Sequence, residues 1–461
     1  MKTVFIPIFQ GVEARNILRT AIFKTLRERG NIRIVLFVPT QYKKEYFSKE
    51  FSGENIVYEV FGNYIPPCWS SIFSFLKFVL LPTETMNIRR RVEFYEQDRY
   101  FTYYFQTLLN RLFAGRFFRR IVRWLDWRFV HDNNFKEVFD HYRPDAIFLA
   151  HIFGDEESAM LREARWRNIP AIGLINSWDK LTSRCMIRLL PDIMIVHNEI
   201  MKREAIEYAD MPENKIRVVG IPHYDIFVQR KPSSRDDFYR RVDADPKKRL
   251  ILYCPLGKRY RNTDAEILEM LIAIKRKKMI PEDTQYMVRF PPNDIVDISR
   301  VKDREGIIFI QPGVRFTDSN DRRVDWDMND ADIALFHDTL AHMSLILCYV
   351  SSLSIDAAVF DKPIIHVRPR READEEHTTP EKRIDRDLSY GLTHYQPVFR
   401  SGGVRVVQNE GELAAWINKY LENPALDHKG RARIVREQCG TLDGHAGERT
   451  AEIILDALKA V

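Results

Sequence analysis

The stretch from Ser351 to Pro363 combines hydroxyl groups, a short helix and a carboxylate in a spacing that suits a diphosphate. An apolar run ends at Ser351 and Ser352, Asp356 follows about one helical turn later, and Pro363 leads into a second apolar run. Free N–H groups at a helix start can bind phosphate oxygens, and an acid further along can accept hydrogen bonds from a ribose diol. The alternative is a buried strand followed by a serine-capped helix without any ligand.

Cationic and polar side chains near other predicted strand ends in the second half could neutralise such a diphosphate. A Lys-Arg pair follows the strand Leu250 to Cys254, and an arginine lies at the end of the strand Gln285 to Phe290. A His-Asp pair follows the predicted strand Ile333 to Phe336 and could contact the diphosphate or the donor sugar. Loop charges, a surface ion pair or a helix cap would explain the same residues without a ligand. The candidates are Lys258, Arg259, Arg289, His337 and Asp338.

Candidate bases and sugar contacts lie near predicted strand ends in the first half of the chain. Removal of a proton from a bound ligand needs a general base within hydrogen-bond reach, and carboxylates or a histidine at these ends could serve. The base candidates are Glu13, His151, Asp155 and Asp179. The candidate contacts to a sugar or acceptor are Gly11, Asn176, Ser177 and Trp178. Helix caps, and a polar turn around a packed tryptophan, are the alternatives that need no ligand.

The elements that must position these residues alternate between strand and helix. Val4 to Ile8, Ala14 to Arg29 and Ile32 to Pro39 predict a strand, helix and strand with parallel pairing. A second alternating set follows a polar segment, so we expect two doubly wound Rossmann-like α/β domains that face each other across a ligand-binding cleft. The predicted ranges are residues 1–230, with a helical basic and aromatic insert at about 66–135, residues 246–440, and residues 441–461 as a helix returning to the first domain.

Composition predicts a folded cytoplasmic protein. The 461 residues are 45% hydrophobic, which is enough to form two ordinary cores. Five scattered cysteines without a CxxC pair favour a reducing compartment and argue against a zinc site. We find neither a cleavable signal nor an apolar run long enough to span a membrane, which disfavours a periplasmic-type binding protein. Dinucleotide and P-loop motifs do not follow the first predicted strands, so dehydrogenases and P-loop enzymes are also disfavoured.

The predicted insert contains a helix that is both basic and aromatic. Ten arginines lie between Arg89 and Arg128, with aromatic residues between them. On a helical wheel, Arg116, Arg119, Arg120 and Arg123 share one arc, and Phe113, Phe117, Ile121, Trp124 and Leu125 occupy another. Such a helix, over Arg111–Arg128, could lie on an anionic membrane surface; a helix buried on one side and solvated on the other is the commoner alternative. We expect no nucleic-acid partner, because no recognition motif accompanies the charge.

Three segments resemble those of GT-B fold glycosyltransferases, in the neighbourhood of UDP-N-acetylglucosamine 2-epimerases and CDP-glycerol glycerophosphotransferases. The segment Ser351 to Pro363 resembles the family's serine-rich turn, acidic helix and Gly-Lys-Pro exit, with Asp361 in place of the glycine. The segment Ile216 to Asp225 resembles the last strand of the N-terminal domain. The segment Asp443 to Arg449 resembles the start of the final helix, which in the family crosses back to the first domain.

The resemblance implies that the second domain binds a nucleotide-diphosphate sugar, UDP-linked, and that the first domain binds the acceptor, without a bound metal or other cofactor. Pro291 replaces the histidine of the glycerophosphotransferases, and Cys348 replaces the first acid of a large retaining group. We therefore predict a glycosyltransferase acting on a glycan, lipid-linked or surface-polysaccharide acceptor at the inner face of the membrane. The alternatives are a nucleotide-sugar 2-epimerase, a CDP-glycerol-type polymer transferase and a nucleotide-binding regulator.

Overall fold

The computed structural model describes residues 1–97, 99–257, 264–294, 296–316, 326–368 and 388–459. The chain divides into two compact units. The first unit comprises Met1–Asp225, Gly391–His394 and Gln438–Val461, and the second comprises Ile226–Tyr390 and Tyr395–Glu437. Each unit is built around its own parallel sheet.

The first unit contains a seven-stranded sheet. Its strands are β1 (Lys2–Pro7), β2 (Ile32–Val38), β3 (Ile56–Val60), β4 (Ala146–Leu149), β5 (Ala171–Leu174), β6 (Ile193–Val196) and β7 (Ile216–Val218). They are ordered β3-β2-β1-β4-β5-β6-β7 and all pair in parallel, with Val4 opposite both Ile34 and Ala146. The central strands read as continuous apolar runs because helices cover both faces of the sheet.

The helices of the first unit connect and cover these strands. They are α1 (Gly11–Glu13), α2 (Ala21–Glu28), α3 (Gln41–Ser48), α4 (Ser70–Val79), α5 (Glu84–Gln97), α6 (Tyr100–Phe113), α7 (Arg116–Phe129), α8 (Lys136–Tyr142), α9 (Asp155–Trp166), α10 (Lys180–Ser183) and α11 (Glu199–Tyr208). A π-helical segment, Ala14–Leu18, separates α1 from α2. Five helices, α4 to α8, lie between β3 and β4, and the first four of them fall in the insert that the sequence predicts.

The second unit contains a six-stranded sheet. Its strands, with those of a small hairpin, are β8 (Arg249–Tyr253), β9 (Thr284–Arg289), β10 (Ile307–Ile310), β11 (Val314–Arg315), β12 (Trp326–Asp327), β13 (Leu345–Cys348), β14 (Ile364–Val367) and β15 (Val404–Val407). The sheet has the order β10-β9-β8-β13-β14-β15 and is parallel throughout, whereas β11 and β12 form a separate antiparallel pair.

The helices of the second unit, followed by the last helix of the chain, complete the element list. They are α12 (Asp225–Gln229), α13 (Arg235–Arg241), α14 (Asp264–Arg276), α15 (Asp330–His342), α16 (Leu353–Val359), α17 (Gln396–Arg400), α18 (Glu410–Glu422), α19 (His428–Ile434) and α20 (Ala446–Lys459). Two parallel, doubly wound α/β units confirm the predicted fold class. No helix in the described parts of the chain is both long and apolar enough to cross a membrane.

The last helix belongs to the first unit, as predicted. Helix α20 packs against α2 and places Ile454 and Leu458 in the core on one face of the first sheet. The buried carboxylate of Asp225 accepts the N–H groups of Ala446 at 3.0 Å and Gly447 at 2.7 Å, which would otherwise be unpaired at the helix start. Apolar packing and this cap together fix the helix on the unit.

One prediction about local structure is wrong, and the structure shows which arc of α7 faces the unit, a choice that the helical wheel leaves open. The apolar run Ile333 to Phe336 is not a strand but part of α15, which begins with a capping box formed by Asn329 and Asp332. A run of four apolar residues cannot distinguish a buried helix from a strand, and the capping signal decides for the helix. On α7 the arginine arc is not solvated as a whole, because Arg119 and Arg123 are buried and paired with Asp210 at 2.7 and 2.6 Å.

Candidate functional site

Polar side chains in the first unit converge at the carboxyl ends of neighbouring strands. Strands β1, β4 and β5 are adjacent, so the loops that follow them meet at one edge of the sheet. The loop after β1 carries Glu13, the loop after β4 carries His151, and the loop after β5 carries Asn176 and Asp179. All four side chains are largely removed from solvent, which concentrates titratable groups in a low-dielectric environment.

Among the predicted bases, Glu13 is the one whose pKa is shifted up toward neutrality. It lies in α1, is 1% exposed, and its Oε2 accepts the N–H groups of Phe9 at 2.7 Å and Gln10 at 3.0 Å. Its Oε1 is buried and accepts no hydrogen bond. Burial raises the pKa of Glu13 to about 7, although the two N–H groups, Lys180 and Lys43 oppose this shift. The group is therefore poised to exchange a proton near neutral pH.

A buried lysine, a histidine and a second glutamate lie beside Glu13. The Nζ atom of Lys180 lies 3.2 Å from Nδ1 of His151, and both side chains are buried. Burial lowers the pKa of Lys180 to about 8, and the neighbouring Arg184 lowers it further, while Asp179, Glu13 and Glu157 act in the opposite direction. Burial raises the pKa of Glu157, and the charge of Glu13 raises it further. One shared environment thus shifts three ionisable groups toward neutrality.

The side chain of Asn176 has unused hydrogen-bonding capacity. Its residue is 2% exposed, and neither Nδ2 nor Oδ1 has a hydrogen-bond partner. Its backbone carbonyl is held by Nδ2 of Asn16 at 3.1 Å, which fixes the loop after β5. A buried amide without partners is costly unless a ligand or water satisfies it. Together with Oε1 of Glu13, it supplies two unsatisfied buried polar groups at one edge of the sheet.

Asp179 is half-buried and held ionised by its neighbours. Its carboxylate accepts hydrogen bonds from Ser177 Oγ at 2.5 Å and Ser183 Oγ at 2.8 Å. Burial alone would raise the pKa of Asp179, but His394, these hydroxyls and Lys180 together hold it well below its usual range. Trp178 packs edge-on against the ring of His394, with 5.0 Å between centroids. Asp179 consequently organises the loop and is a poor base.

Asp155 is also engaged in structural contacts. Its Oδ1 lies 2.8 Å from Nζ of Lys77 and 3.0 Å from Arg188, and Ser74 donates a hydrogen bond at 3.2 Å. Burial would raise its pKa, but the two cations lower it below the ordinary value. A carboxylate with two cationic partners holds its charge and is a weaker proton acceptor than Glu13. Gly11 lies in the same short helix as Glu13 and is buried.

In the second unit, the serine-rich turn and α16 adopt the predicted order. Ser351 and Ser352 follow β13, and Ser351 Oγ accepts the N–H of Leu353 at 3.3 Å. Asp356 is 8% exposed and lies one turn into the helix. Asp361 adopts a left-handed backbone with φ 50°, which glycine tolerates best, so the conformation explains the family's glycine at this place. Its carboxylate accepts a hydrogen bond from the buried Arg431 at 2.7 Å, which offsets the strain.

Arg289 and Asp356 lie near one buried thiol. Burial raises the pKa of Cys254 to about 12, while Arg289 lowers it and Asp356 raises it. Both charged groups are therefore within electrostatic range of the carboxyl end of β8. The guanidinium of Arg289 also lies 4.3 Å from the ring centroid of Phe336. The predicted phosphate ligands Lys258 and Arg259 fall outside the described residues.

His337 and Asp338 do not follow a strand, and both are fully buried in α15. Asp338 is 2.5 Å from Arg230 and 2.5 Å from Arg241, and it accepts a hydrogen bond from Ser233 Oγ at 2.8 Å. Burial alone would raise the pKa of Asp338, but these partners hold it well below its usual range. The pair therefore anchors α15 to neighbouring α12 and α13, which corrects the prediction that it is presented at a strand end.

Glu157, Lys180 and His394 are the residues of the first-unit site that sequence reasoning missed. Lys180 directly follows the predicted Asp179, and Glu157 lies in the acidic first turn of α9, so a weak local signal exists for both. His394 has none, because the chain brings it to Trp178 and Thr182 from more than two hundred residues away. Among the described residues, no group of three or more His, Cys, Asp and Glu side chains is placed to hold a metal ion.

Comparison with known proteins yields one curated relative and several structural neighbours. No protein-family model matches the chain. The UDP-N,N'-diacetylbacillosamine 2-epimerase (hydrolyzing) of Legionella pneumophila is 26% identical over 262 residues, which cover 56% of this chain and 64% of the relative. The match thus spans less than two thirds of the relative's length.

The structural neighbours cover nearly the whole chain at low identity. S. aureus MnaA in complex with UDP has a TM-score of 0.55 at 13% identity and covers 100% of this chain and 98% of its own. The UDP-GlcNAc 2-epimerase of Neisseria meningitidis bound to UDP-GlcNAc has a TM-score of 0.55 at 12% identity, covering 99% and 100%. The wall teichoic acid polymerase TagF has a TM-score of 0.52 at 11% identity, covering 100% and 89%. The chain thus has the GT-B-type fold that these three proteins share.

Proposed function

We propose that the protein is an enzyme that binds a UDP-linked 2-acetamido sugar and inverts its carbon 2. The observation that carries this proposal is Glu13, a buried carboxyl group with a pKa near neutrality and one unpartnered oxygen. The similarity to a curated 2-epimerase supports it, as does the fold shared with MnaA, whose structure holds UDP, and with a 2-epimerase whose structure holds UDP-GlcNAc.

Inversion of carbon 2 requires a proton to leave from one face and a proton to arrive on the other. No carbonyl acidifies this C–H bond, so its electron pair must expel UDP from carbon 1 and form a C1–C2 double bond. UDP then adds back to carbon 1 as a proton is delivered to carbon 2. Glu13 is suited to the first step because its ionised form is disfavoured by burial and its Oε1 makes no internal hydrogen bond. The Lys180 and His151 pair, or Glu157, is suited to the second step, since burial brings Lys180 to a pKa of about 8. Asn176 offers both a donor and an acceptor for an acetamido group or a hydroxyl.

The second unit is proposed to hold the nucleotide. The turn at Ser351 and Ser352 would bind the diphosphate, Arg289 would add a bidentate cation, and Asp356 would accept hydrogen bonds from the ribose. Arg289 and Asp356 are both near Cys254, which supports a common site at the carboxyl ends of β8, β9 and β13. A thermal-shift screen of UDP, CDP, GDP and TDP tests the base, and we expect the largest stabilisation with UDP.

A second candidate function is sugar transfer from the same donor to an acceptor hydroxyl. The same property of Glu13 favours it, because a general base with a pKa near 7 suits deprotonation of a hydroxyl. The predicted glycan, lipid-linked or polysaccharide acceptor belongs to this alternative. Transfer and epimerisation differ in one measurable way: only epimerisation exchanges the hydrogen on carbon 2.

The test is incubation with UDP-N-acetylglucosamine in deuterium oxide, followed by proton NMR. We expect loss of the carbon-2 proton signal and formation of the 2-epimer. Glu13→Gln is expected to slow exchange by at least about a hundredfold, in the range that loss of a general base costs. The matched control is Glu28→Gln, which makes the same change on an exposed side chain of α2 and is expected to keep the wild-type rate.

Three outcomes would contradict the proposal. Product that retains hydrogen at carbon 2 and carries the sugar on an added acceptor would establish the transferase alternative. Stabilisation by UDP without any turnover would favour a nucleotide-binding regulator. Undiminished exchange in Glu13→Gln would remove Glu13 from the reaction.

A further inference from the structure

Helices α4, α6 and α7 expose an unusual concentration of apolar side chains. Of 23 large hydrophobic residues exposed in the described chain, 16 lie between Trp69 and Phe129. On α6 the exposed positions Phe101, Phe105, Leu108 and Leu112 are spaced four, three and four residues apart, so they share one helix face. We call the exposed apolar side chains of α4, α6 and α7 the apolar face.

Helix α7 exposes its apolar arc to solvent and turns two of its arginines toward the protein. Phe117 is 70% exposed and Trp124 is 61% exposed, and Ile121 lies between them on the same side. Arg119 and Arg123 point inward to Asp210. An amphipathic helix normally buries its apolar arc. The inverted orientation therefore implies that something outside the described chain covers Phe117, Ile121 and Trp124.

The exposed apolar residues of α6 and α7 lie on helices that are connected through α4. Helix α4 packs against both α6 and α7. Asn110 on α6 donates hydrogen bonds to the carbonyls of Val79 at 2.6 Å and Leu81 at 3.2 Å, where α4 ends. A concentration of exposed apolar side chains on helices that pack together marks an interaction surface.

The exposed charges on the three helices of the apolar face have one sign. Arg111, Arg116, Arg120 and Arg128 are exposed on α6 and α7. The three helices contain a single carboxylate, Asp126, which is buried and paired with Arg162 at 2.6 Å and Arg188 at 2.7 Å. The partner must therefore be both apolar and anionic.

A cationic cavity of about 360 Å³ opens beside this face, and we call it the arginine cavity. Its lining includes Arg120, Arg123, Trp124, Arg165 and Lys215, and Trp124 belongs to the apolar face as well. The Nη2 atom of Arg123 is buried without a hydrogen-bond partner.

The lining has more positive charge than its own acids can neutralise. Its two carboxylates are Asp192 and Asp210. Asp210 already lies 2.6 Å from Arg123 and 2.7 Å from Arg119, and Asp192 accepts the N–H of Ala171. Arginine side chains in this arrangement suit a phosphate group.

From these features we infer that the apolar face inserts into the surface of a membrane and that the arginine cavity takes the phosphate of an anionic lipid headgroup. Phe, Trp and Arg are the residues that anchor helices at the lipid interface. A second copy of the chain fits less well, because a two-fold contact would place an arginine-rimmed surface against itself without carboxylates. The inference goes beyond the proposed function and does not depend on it.

The test is co-sedimentation of the full chain with vesicles of phosphatidylcholine alone or mixed with phosphatidylglycerol. We expect binding to the mixed vesicles that weakens with salt. Each basic residue near an anionic membrane contributes about fivefold to binding, so Arg120→Gln with Lys215→Gln should lower the partition coefficient by about 25-fold. Lys24→Gln with Lys49→Gln, exposed lysines elsewhere on the first unit, should leave it within about twofold.

A second variant tests the apolar contribution separately. Phe117→Ser, Ile121→Ser and Trp124→Ser together should abolish sedimentation while leaving the thermal unfolding midpoint near that of the wild type, since all three side chains are exposed. Failure of the wild type to bind mixed vesicles would overturn the inference. A dimer of the wild type that dissociates in the triple variant would also overturn it. So would binding of inorganic phosphate that is lost in the Arg120→Gln, Lys215→Gln variant, if the wild type does not bind vesicles.

Discussion

Replacing Glu13 by glutamine should change how the stability of the first unit depends on pH. The carboxyl is buried, and burial raises its pKa from 4.5 to about 7. Between these values the folded state binds a proton that the unfolded state has released. The free energy of unfolding of the wild type therefore falls as the pH rises through this window. Glutamine cannot ionise, so this contribution disappears in the variant.

The magnitude follows from the size of the shift. A pKa difference of one unit corresponds to about 1.4 kcal/mol, so the full effect is about 3 kcal/mol above pH 7. Part of the loss has already occurred at pH 5, which leaves about 2 to 3 kcal/mol between pH 5 and pH 8. The glutamine amide still accepts the N–H groups of Phe9 and Gln10, and any fixed cost of its new N–H donors cancels when two pH values are compared.

The assay is urea unfolding at pH 5, 6, 7 and 8, followed by tryptophan fluorescence. Five of the seven tryptophans lie in the first unit, so the signal reports mainly on that unit. The stability of Glu13→Gln relative to the wild type should rise by about 2 to 3 kcal/mol from pH 5 to pH 8. Glu28→Gln, on an exposed position, should show a constant difference. Parallel pH profiles for the wild type and Glu13→Gln would refute the raised pKa and the argument for a poised base.

Three further predictions concern buried polar groups. Asp210→Asn should cost about 3 kcal/mol or more in urea unfolding because it leaves two buried guanidinium groups without their carboxylate. Glu213→Gln, at an exposed position, should leave the stability near that of the wild type, and equal effects would contradict the burial argument. Asp338→Asn should destabilise the second unit by about 2 kcal/mol at pH 7. Because the pKa of Asp338 is depressed, the difference in the free energy of unfolding between variant and wild type should shrink as the pH falls below about 4. A difference that stays constant with pH would contradict this. Ser354→Ala should cost about 1 to 3 kcal/mol by thermal unfolding, because it removes a buried hydroxyl that is hydrogen-bonded to His366 at 2.9 Å and Tyr395 at 2.7 Å. Ser352→Ala should cost little, because the Ser352 side chain makes no capping hydrogen bond to the helix that follows it.

The fold was predictable because parallel strands buried on both faces leave a plain signal. Runs such as Val4 to Ile8 and Leu250 to Cys254 are apolar throughout, and helices of fitting length lie between them. The structure confirms two doubly wound units and the return of α20 to the first. The segment at Ile333 is helical because the capping box at Asn329 starts α15, and four apolar residues alone do not distinguish a strand from a buried helix.

The orientation of α7 could not be predicted from its wheel. A wheel separates two arcs but does not say which one faces the protein. Here Asp210, about ninety residues further along the chain, draws Arg119 and Arg123 inward and leaves Trp124 outside. Such a choice depends on a long-range ion pair that has no local signature.

The candidate site was partly predictable because its residues follow strands. Glu13, His151, Asn176 and Asp179 were identified from that position alone, and the sheet order brings their loops together. Their roles remain predictions. What distinguishes Glu13 from Asp179 is the environment that each finds in the folded state: Glu13 has a free oxygen, whereas Asp179 is saturated by hydroxyls.

The attachment of α20 to the first unit also bears on synthesis of the chain. The core around Ile22 and Leu26 is completed by Ile454 and Leu458, which the ribosome adds more than four hundred residues later. Between these events the second unit, with all its strands between 249 and 407, can emerge and fold. Until α20 has been synthesised, the first unit therefore has an uncovered apolar surface and cannot reach its native state. This chain consequently completes its first domain only after its second unit has been synthesised.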